Sequence, residues 1–214
     1  MKNIAKEKIL NNELCLGVGL RQSRTVDIGK IMASSGYDWL FIDMEHGAID
    51  IASCYNMITA TSGSACSPVV RVMEPSIAFT KPVLDSGAMG VIFPMITSKE
   101  TAEAAVAAVR YPPAGERGWG PFYAPMRWQK KDSIEYYKSS DDIVIISLIE
   151  HIDAINNIEE ITKVQGIDVF FIAPMDLAAS MGYVGDRDHP EVKEASARAE
   201  ASIKKSHGSL GGLC

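Results

Sequence analysis

Three ionisable side chains follow directly on one apolar segment of this sequence. The run Trp39–Ile42 leads into Asp43, Glu45 and His46. A carboxylate beside an imidazole fixes the tautomer of the ring and raises its basicity, which is the arrangement that a general base needs. The alternative is a polar turn that caps the next helix and leaves His46 in solvent. From the spacing alone, both interpretations stay open.

An arginine ends a second apolar segment, in which Pro68–Val70 is followed by Arg71. A guanidinium group offers two parallel donors and is therefore the preferred clamp for a carboxylate. Arginines at strand ends more commonly form structural or surface ion pairs. Arg71 is thus a candidate anion-binding residue, with a structural ion pair as the alternative.

Two carboxylates occupy matching positions after two later apolar segments. Ile143–Ile149 is followed by Glu150, and Val169–Ala173 leads through two residues to Asp176. Neighbouring barrel strands that each present a carboxylate at one rim can share a hard divalent cation. Oxygen ligands favour Mg²⁺ or Mn²⁺ over zinc. The alternatives are a helix cap for Asp176 and a lysine partner for Glu150.

Short apolar segments alternate with longer amphipathic segments along the chain, which predicts strand–helix units and a parallel sheet. The predicted strands are Leu14–Gly19, Trp39–Asp43, Val69–Arg71, Gly90–Pro94, Ile143–Ile149, Val169–Ala173 and, more weakly, Ser209–Leu213. The predicted helices are Val26–Ser34, Ile51–Thr61, Phe79–Ser86, Ser98–Val109, Ala154–Lys163 and Glu191–Ser206.

Two closures of such a sheet compete, an open doubly wound sheet and a (β/α)8 barrel. The segment Gly17–Gln22 lacks the third glycine of a dinucleotide-binding turn, which weakens the first. Polar residues at the carboxyl ends of several strands favour the second, because barrels build their sites there. We predict an α/β fold of the (β/α)8 TIM-barrel type, formed by one domain over residues 1–214.

Composition excludes several classes of protein. With 21 Lys and Arg against 27 Asp and Glu, the net charge of −6 repels polyphosphate and argues against a nucleic-acid partner. No apolar run approaches the roughly 20 residues of a membrane helix, and the start MKNIAKEKIL lacks an apolar signal stretch. The four cysteines form no CxxC pair. We therefore predict a cytoplasmic protein with reduced thiols and no membrane partner.

Three further features of the sequence lead to predictions: an aromatic stretch, an aspartate near a helix end and a set of methionines. The stretch Arg110–Lys131 is rich in proline and aromatic residues, which favours an ordered functional loop, such as a lid or a subunit contact. Asp85 lies near the end of a predicted helix, where the helix dipole disfavours a negative charge. Its simple interpretation is a solvated side chain. Four methionines are predicted to fill packing positions: Met32, Met57, Met73 and Met89.

Taken together, these segments resemble the HpcH/HpaI aldolase family, the metal-dependent class II pyruvate aldolases that act on 4-hydroxy-2-oxo acids. The matching segments are DWLFIDMEHGAID (38–50), PVVRV (68–72), KPVLDSGAMGVIFPMI (81–96), RYPPAGERGWGP (110–121) and FFIAPMDLAASMGYVGDRDHPEV (170–192). The resemblance covers nearly the whole chain in one register. It implies a barrel of the phosphoenolpyruvate/pyruvate type.

The resemblance also implies roles for the candidate residues. His46 would be the general base, acting through a metal-bound water, and Asp43 and Asp85 would orient it and raise its basicity. Arg71 would bind the keto-acid oxygens of the substrate and stabilise the developing enolate.

By the same resemblance, Glu150 and Asp176 would hold a divalent metal ion, Mg²⁺, Mn²⁺ or Co²⁺, and no organic cofactor is expected. The backbone around Met175 and Asp176 would donate to the substrate carboxylate. No Schiff-base lysine stands at a strand end in the matching segments.

The expected function is reversible aldol cleavage of a 4-hydroxy-2-oxo acid to pyruvate and an aldehyde. The substrate would be of the 4-hydroxy-2-oxoheptanedioate or the 2-keto-3-deoxy-sugar-acid type. One alternative is a CoA-ester lyase of the malyl or citramalyl kind, which Arg110, Arg117, Arg127 and Lys130 leave open. The other is a homologue that binds a keto acid without turnover.

Three residues depart from the family pattern at the expected substrate rim. Leu148 stands where glutamine is common, His151 where threonine is usual, and Met175 where a small residue is common. After Ser209–Leu213 the chain has no eighth strand or final helix, so we expect a C-terminally incomplete barrel or a neighbouring subunit over the gap. By resemblance the protein would be a homo-oligomer, a trimer or a hexamer.

Overall fold

The computed structural model describes residues 3–120 and 132–213, and seven parallel strands form its sheet in the order of the chain. Each strand pairs with the next one in sequence, as the predicted strand–helix units require. The strands are β1 (Gly17–Leu20), β2 (Trp39–Asp43), β3 (Ser67–Arg71), β4 (Gly90–Phe93), β5 (Val144–Ile149), β6 (Val169–Ile172) and β7 (Ser209–Gly212).

The helices follow the strands, with some differences from the predicted pattern. The segment expected as one helix over Ala154–Lys163 is two short helices with Asn157 between them. The helices at Ile4–Leu10 and Ser133–Lys138 were not predicted, and the one at Pro174–Ser180 was considered only as a helix that Asp176 would cap. The helices are α1 (Ile4–Leu10), α2 (Val26–Ala33), α3 (Ile51–Ala60), α4 (Ile77–Asp85), α5 (Lys99–Val109), α6 (Ser133–Lys138), α7 (Ile152–Asn156), α8 (Ile158–Ile161), α9 (Pro174–Ser180) and α10 (Pro190–Ile203). A 3₁₀ turn covers Ser139–Asp142.

Both faces of the sheet are buried, which explains why its strands are nearly continuous in apolar residues. Alternate residues such as Val69, Ile92 and Ile146 form one cluster on the inner face. Their neighbours Val70 and Phe93 belong to the larger cluster that the helices cover. The sheet curls as in a half-barrel, and the α/β class is confirmed. The (β/α)8 barrel and the expected lack of an eighth strand stay predictions.

Helix α1 lies across the amino end of the sheet. Asn3, at its N-cap, donates to the carbonyl oxygens of Met89 and Asp142, both at 2.7 Å. Lys6 pairs with Asp168 at 2.5 Å, just before β6. Helix α1 thus covers the amino end of the sheet, opposite the end at which Asp43 and Arg71 stand.

Some expectations need correction. The first strand begins at Gly17, and Leu14, which was predicted to start it, is exposed. Met57 is fully buried as predicted, but Met73 is 52% exposed and packs into no core, because it stands beyond the end of β3.

Three of the cysteines lie in the described residues and are free, and burial raises the pKa of the Cys54 thiol to about 12. Within residues 3–120 and 132–213, no helix combines the length and the apolar character needed to cross a bilayer.

Candidate active site

Charged side chains from several strands meet at the carboxyl end of the sheet. Arg21 follows β1, Asp43 ends β2, Arg71 ends β3 and Glu150 follows β5. Asp176 lies in the first turn of α9, shortly after β6. Parallel strands end at one edge, so residues far apart in sequence become neighbours there.

Arg71 and Asp43 form a buried two-point ion pair at the centre of this group. The Nε atom of Arg71 donates to Oδ1 of Asp43 at 2.9 Å, and Nη2 donates to Oδ2 at 2.5 Å. Arg21 Nε lies 3.0 Å from the same Oδ2 from a more exposed position. The structural ion pair that the sequence left open for Arg71 is therefore present. The site adds Arg21, whose only sequence signal is its place directly after a strand.

Asp43 also organises the turn that carries His46. Its Oδ1 accepts the backbone N–H groups of Glu45 and His46, both at 3.1 Å. Burial acts to raise the pKa of Asp43, but Arg71 and these N–H groups outweigh it and leave that pKa below its ordinary value. Asp43 thus holds His46 through the main chain, and its predicted effect on the imidazole stays a prediction.

Glu45 is a site residue to which sequence analysis assigned no role. Its Oε2 lies 3.0 Å from Arg71 Nη1 and 3.9 Å from Nε2 of His46, whose side chain is 61% exposed. The approach of Arg71 is an ion pair without hydrogen-bond alignment, and this buried oxygen accepts no hydrogen bond from the described residues. Burial raises the pKa of Glu45, and the charges of Asp43 and Asp176 contribute to the rise. The available signal was its position between Asp43 and His46.

Glu150 is buried among like charges. It is 5% exposed, and its Oε1 accepts the backbone N–H of Met95 at 2.7 Å. Burial raises its pKa, and Asp176 and Glu45 raise it further, whereas Met95 and Arg71 oppose the rise. The lysine partner considered from the sequence is not found among the described residues. Glu150 is therefore a buried carboxylate near two other carboxylates and one guanidinium group.

Asp176 does not cap α9, as one sequence interpretation held. The helix begins at Pro174, its N-cap is Ala173, and Asp176 is the third helical residue. Met175 beside it is 44% exposed. Asp176 is close enough to Glu150 and Glu45 to raise the pKa of both, so the structure brings the two predicted metal ligands into one electrostatic group.

The charge of the group suits a divalent cation. Four carboxylates (Asp43, Glu45, Glu150 and Asp176) and two guanidinium groups (Arg21 and Arg71) leave a formal charge of −2 with His46 neutral. Together with the orphaned Glu45 oxygen, this excess fits a hard cation with oxygen ligands. Within the described ranges, no three His, Cys, Asp or Glu side chains form a ready-made cage. Glu150 and Asp176 as ligands of such a cation stay a prediction.

Asp85 lies away from this group in the described part of the chain. At the end of α4, its Oδ1 pairs with Nη2 of the buried Arg117 at 3.1 Å. Arg117 also donates to the Tyr136 hydroxyl at 3.2 Å. Asp85 is therefore paired as well as solvated, and within residues 3–120 and 132–213 it forms no ion pair or hydrogen bond with His46. Its predicted role at His46 stays a prediction.

The aromatic loop is only partly described. Tyr111 packs against Trp119 and Tyr136, with ring centroids 5.4 and 6.2 Å apart, so the stretch before residue 121 is ordered as expected. Residues 121–131 lie outside the described residues, and with them the rest of the predicted loop. Whether this loop is a lid or a subunit contact stays a prediction.

The residues that depart from the family pattern, Leu148 and His151, lie in different parts of the structure. Leu148 stands two residues before Glu150 in the sequence. It is buried in the apolar cluster on the inner face of the sheet. His151 is the N-cap of α7, where its Nδ1 accepts the N–H of Asp153 at 3.1 Å. The imidazole therefore replaces the hydroxyl of a usual cap and fixes the turn that follows Glu150.

Comparisons with known proteins agree with this geometry. Residues 22–211 match a family model described as HpcH/HpaI aldolase/citrate lyase. A 2-keto-3-deoxy-L-rhamnonate aldolase of Escherichia coli (strain K12) is 39% identical over 216 aligned residues, which cover 98% of this chain and 79% of the relative.

Solved structures show the same similarity. An HpcH/HpaI aldolase/citrate lyase family protein from Burkholderia cenocepacia J2315 is 31% identical with a TM-score of 0.90, over 100% of this chain and 85% of the other. The HpcH/HpaI aldolase from Desulfitobacterium hafniense DCB-2 is 28% identical with a TM-score of 0.91, over 98% and 81% of the two chains. The family match includes Asp43, Arg71, Glu150 and Asp176.

Proposed function

The chain belongs to the HpcH/HpaI aldolase/citrate lyase family, and from this premise we propose that it is a divalent-metal-dependent aldolase that cleaves a 4-hydroxy-2-oxo acid to pyruvate and an aldehyde. As in the aldolases it resembles, its reaction is that of a carbon–carbon lyase. The relative named for 2-keto-3-deoxy-L-rhamnonate supports a substrate of the 2-keto-3-deoxy-sugar-acid type. One observation carries the proposal, the group of −2 formal charge around the buried Arg71–Asp43 pair.

Glu150 and Asp176 would hold the cation, Mg²⁺, Mn²⁺ or Co²⁺. The cation would supply Lewis-acid stabilisation of the negative charge that develops on the enolate. Arg71 is held in place by Asp43 and Glu45, so its remaining N–H donors are preorganised for an oxyanion. The first-turn N–H groups of Met175 and Asp176 have no acceptor within α9 and would bind the substrate carboxylate.

His46 would remove the proton from the 4-hydroxyl group. Its ring is exposed at the site, and the turn that carries it is fixed by the carboxylate of Asp43. The electron pair of the broken C3–C4 bond then passes to the pyruvate enolate, and the aldehyde leaves. Asp85, if it reaches the ring, would raise its basicity.

The test is release of pyruvate from 2-keto-3-deoxy sugar acids by metal-free protein supplied with Mg²⁺, Mn²⁺ or Co²⁺. We expect EDTA to abolish cleavage. His46→Ala should lower kcat by roughly 10²–10⁴-fold, the usual contribution of a general base, while Mn²⁺ affinity measured by calorimetry stays within about threefold. His207→Ala, remote from the site at the start of β7, is the control. Cleavage that persists in EDTA contradicts the proposal.

The two alternatives differ in what they require. A CoA ester needs basic groups near the site for its phosphates. Arg110 donates to the carbonyl oxygens of Ser140 and Ile143, and Arg117 is buried beside Asp85. Both guanidinium groups therefore already bind groups of the protein itself. Arg127 and Lys130 lie outside the described residues. A non-catalytic keto-acid binder would bind oxalate in calorimetry and release no pyruvate in the same assay.

The proposal extends to the whole fold. We propose that the seven described strands, with β1 and β7 at the two edges of the sheet, belong to a (β/α)8 barrel of one domain. We also propose a homo-oligomer, a trimer or a hexamer, from the family resemblance. Light scattering coupled to size exclusion should give three or six times the chain mass. A monomer at micromolar concentration would refute the oligomer.

A further inference from the structure

Met95, two residues after β4, adopts a backbone conformation that methionine disfavours. Its φ is +53°, and Asn12 is the other non-glycine residue with a positive φ among those described. Asparagine adopts this left-handed conformation comparatively readily, whereas the Cβ atom of most L-residues crowds the backbone there. Such strain persists only where the surrounding structure imposes it, and it concentrates at functional sites.

The side chain of Met95 does not account for this conformation. It is 48% exposed, so its own packing does not hold the backbone. The chain on either side is fixed instead. Phe93 and Ile96 are fully buried in the core between the sheet and the helices. The chain bends at Pro94 between these anchors, and Met95 takes the left-handed conformation directly after the bend.

In this conformation, the main-chain N–H of Met95 points toward the candidate site. The N–H of Met95 donates to Oε1 of Glu150 at 2.7 Å, although the two residues are 55 positions apart. Glu150 follows β5, the strand that pairs with β4. This hydrogen bond engages one oxygen of a nearly buried carboxylate and leaves Oε2 for another partner.

We propose that the left-handed turn at Met95 is a positioning device for Glu150, in which the main-chain N–H fixes the carboxylate in one orientation and leaves Oε2 free to bind the divalent cation. The inference rests on the metal site of the proposed function. Met95 is thus a positioning residue that acts through its backbone, and its side chain is replaceable wherever the left-handed conformation is retained.

Three substitutions distinguish the contribution of the Met95 backbone from that of its side chain. Met95→Leu keeps an unbranched Cβ, Met95→Gly removes the strain, and Met95→Val places a β-branched residue where its cost is highest. Binding of Mn²⁺ to metal-free protein is measured by calorimetry, with thermal unfolding as the check on folding. We expect Leu and Gly to stay within about threefold of the parent Kd and Val to weaken it by about tenfold or more. Equal affinity in a folded Met95→Val protein, or an equal loss in Met95→Leu, overturns the inference.

A second measurement keeps the inference testable if Met95→Val does not fold. Hydrogen exchange of the Met95 amide should accelerate by about tenfold in Glu150→Ala and remain within about twofold in Asp176→Ala, because only the first removes the acceptor. Unchanged exchange in Glu150→Ala overturns the inference. Failure of the parent protein to bind Mn²⁺ contradicts the proposed function instead, and the exchange result then still decides whether Met95 holds Glu150.

Discussion

Arg71 connects the acidic residues of the site to one another. Two of its nitrogens bind Asp43, and the third approaches Glu45. Its guanidinium carbon also lies 5.4 Å from the centre of the Phe41 ring. A guanidinium group has five N–H donors, so these contacts fix its plane and leave donors for a substrate oxygen. At the residue scale, loss of the Arg71–Asp43 ion pair should therefore have the largest effect on stability.

Asp43→Asn should destabilise the fold in a pH-dependent way. Removing one charge of a buried pair leaves the other uncompensated and costs about 3 kcal/mol. The pKa of Asp43 is below its ordinary value of 3.8, so its stabilising contribution is fully present above that pH. It is lost as the pH falls below 3.8 through the lowered folded-state value.

Urea unfolding of Asp43→Asn and the parent protein at pH 7 and at pH 3 measures this difference. The cost of the substitution should be smaller at pH 3. Asp186→Asn, at an exposed position, should change stability little at either pH. A cost that is equal at both pH values would show that the charge of Asp43 does not stabilise the fold.

At the scale of elements, the short turns that follow the strands position the side chains of the candidate site. In the turn after β2, a Cβ atom on Gly47 would lie 2.5 Å from the carbonyl oxygen of Asp43 and 2.6 Å from that of Arg21. The residue after His46 must therefore be glycine, because the backbones after β1 and β2 approach each other closely. This close approach is what places His46 and Arg21 around one carboxylate.

The turn after β6 leads to a prediction about substrate choice. Met175 is half-exposed in the first turn of α9, beside the proposed metal ligand Asp176. Met175→Ala should widen the mouth of the site and raise kcat/KM for a bulky aldehyde, relative to a small one, by about tenfold. The measurement is aldol addition of pyruvate to two aldehydes of different size. Met175→Leu, which keeps the volume, is the matched control, and an equal change in both variants would contradict the steric argument.

At the scale of the whole molecule, the two ends of the sheet have opposite roles. Helix α1 is tied to the amino ends of several strands through Asn3, Lys6 and Lys8. The inner face of the sheet above it carries an apolar cluster, and the charged residues of the candidate site lie at the carboxyl end. Packing of Trp39 on this inner face requires Gly17 opposite, since a Cβ there would overlap the indole at 2.1 Å. Helix α1 thus closes one end of the sheet, and the candidate site lies at the other.

Asn3→Ala should therefore reduce stability without reaching the site. Its side-chain amide donates to the carbonyl oxygens of Met89 and Asp142, and its Oδ1 accepts from the Ser67 hydroxyl. Losing these hydrogen bonds together costs about 2 kcal/mol. Urea unfolding should show this loss while Mn²⁺ affinity is unchanged, and Gln165→Ala, on an exposed turn, is the control. A loss below about 0.5 kcal/mol would contradict the role of α1 as a structural plug.

Much of the fold was predictable because its signals are local. Strand–helix alternation, the capping box of Ser98 and Thr101, and the left-handed glycines Gly36 and Gly63 after two helices all act within a few residues. Helix α1 was missed because it is short and its stability comes from contacts such as that of Asn3 with Asp142, 139 positions away. Its sequence alone carries little signal for such a helix.

The sequence by itself determined which residues stand at the carboxyl ends of the strands. Asp43, Arg71 and Glu150 were identified there because each follows its own apolar segment directly, and all parallel strands end at one edge. Only the tertiary structure decided the partners: Arg71 with Asp43 across 28 positions, Glu150 with the Met95 amide across 55, and Asp85 with Arg117 across 32. The winding of the sheet sets those distances, and no local pattern encodes it.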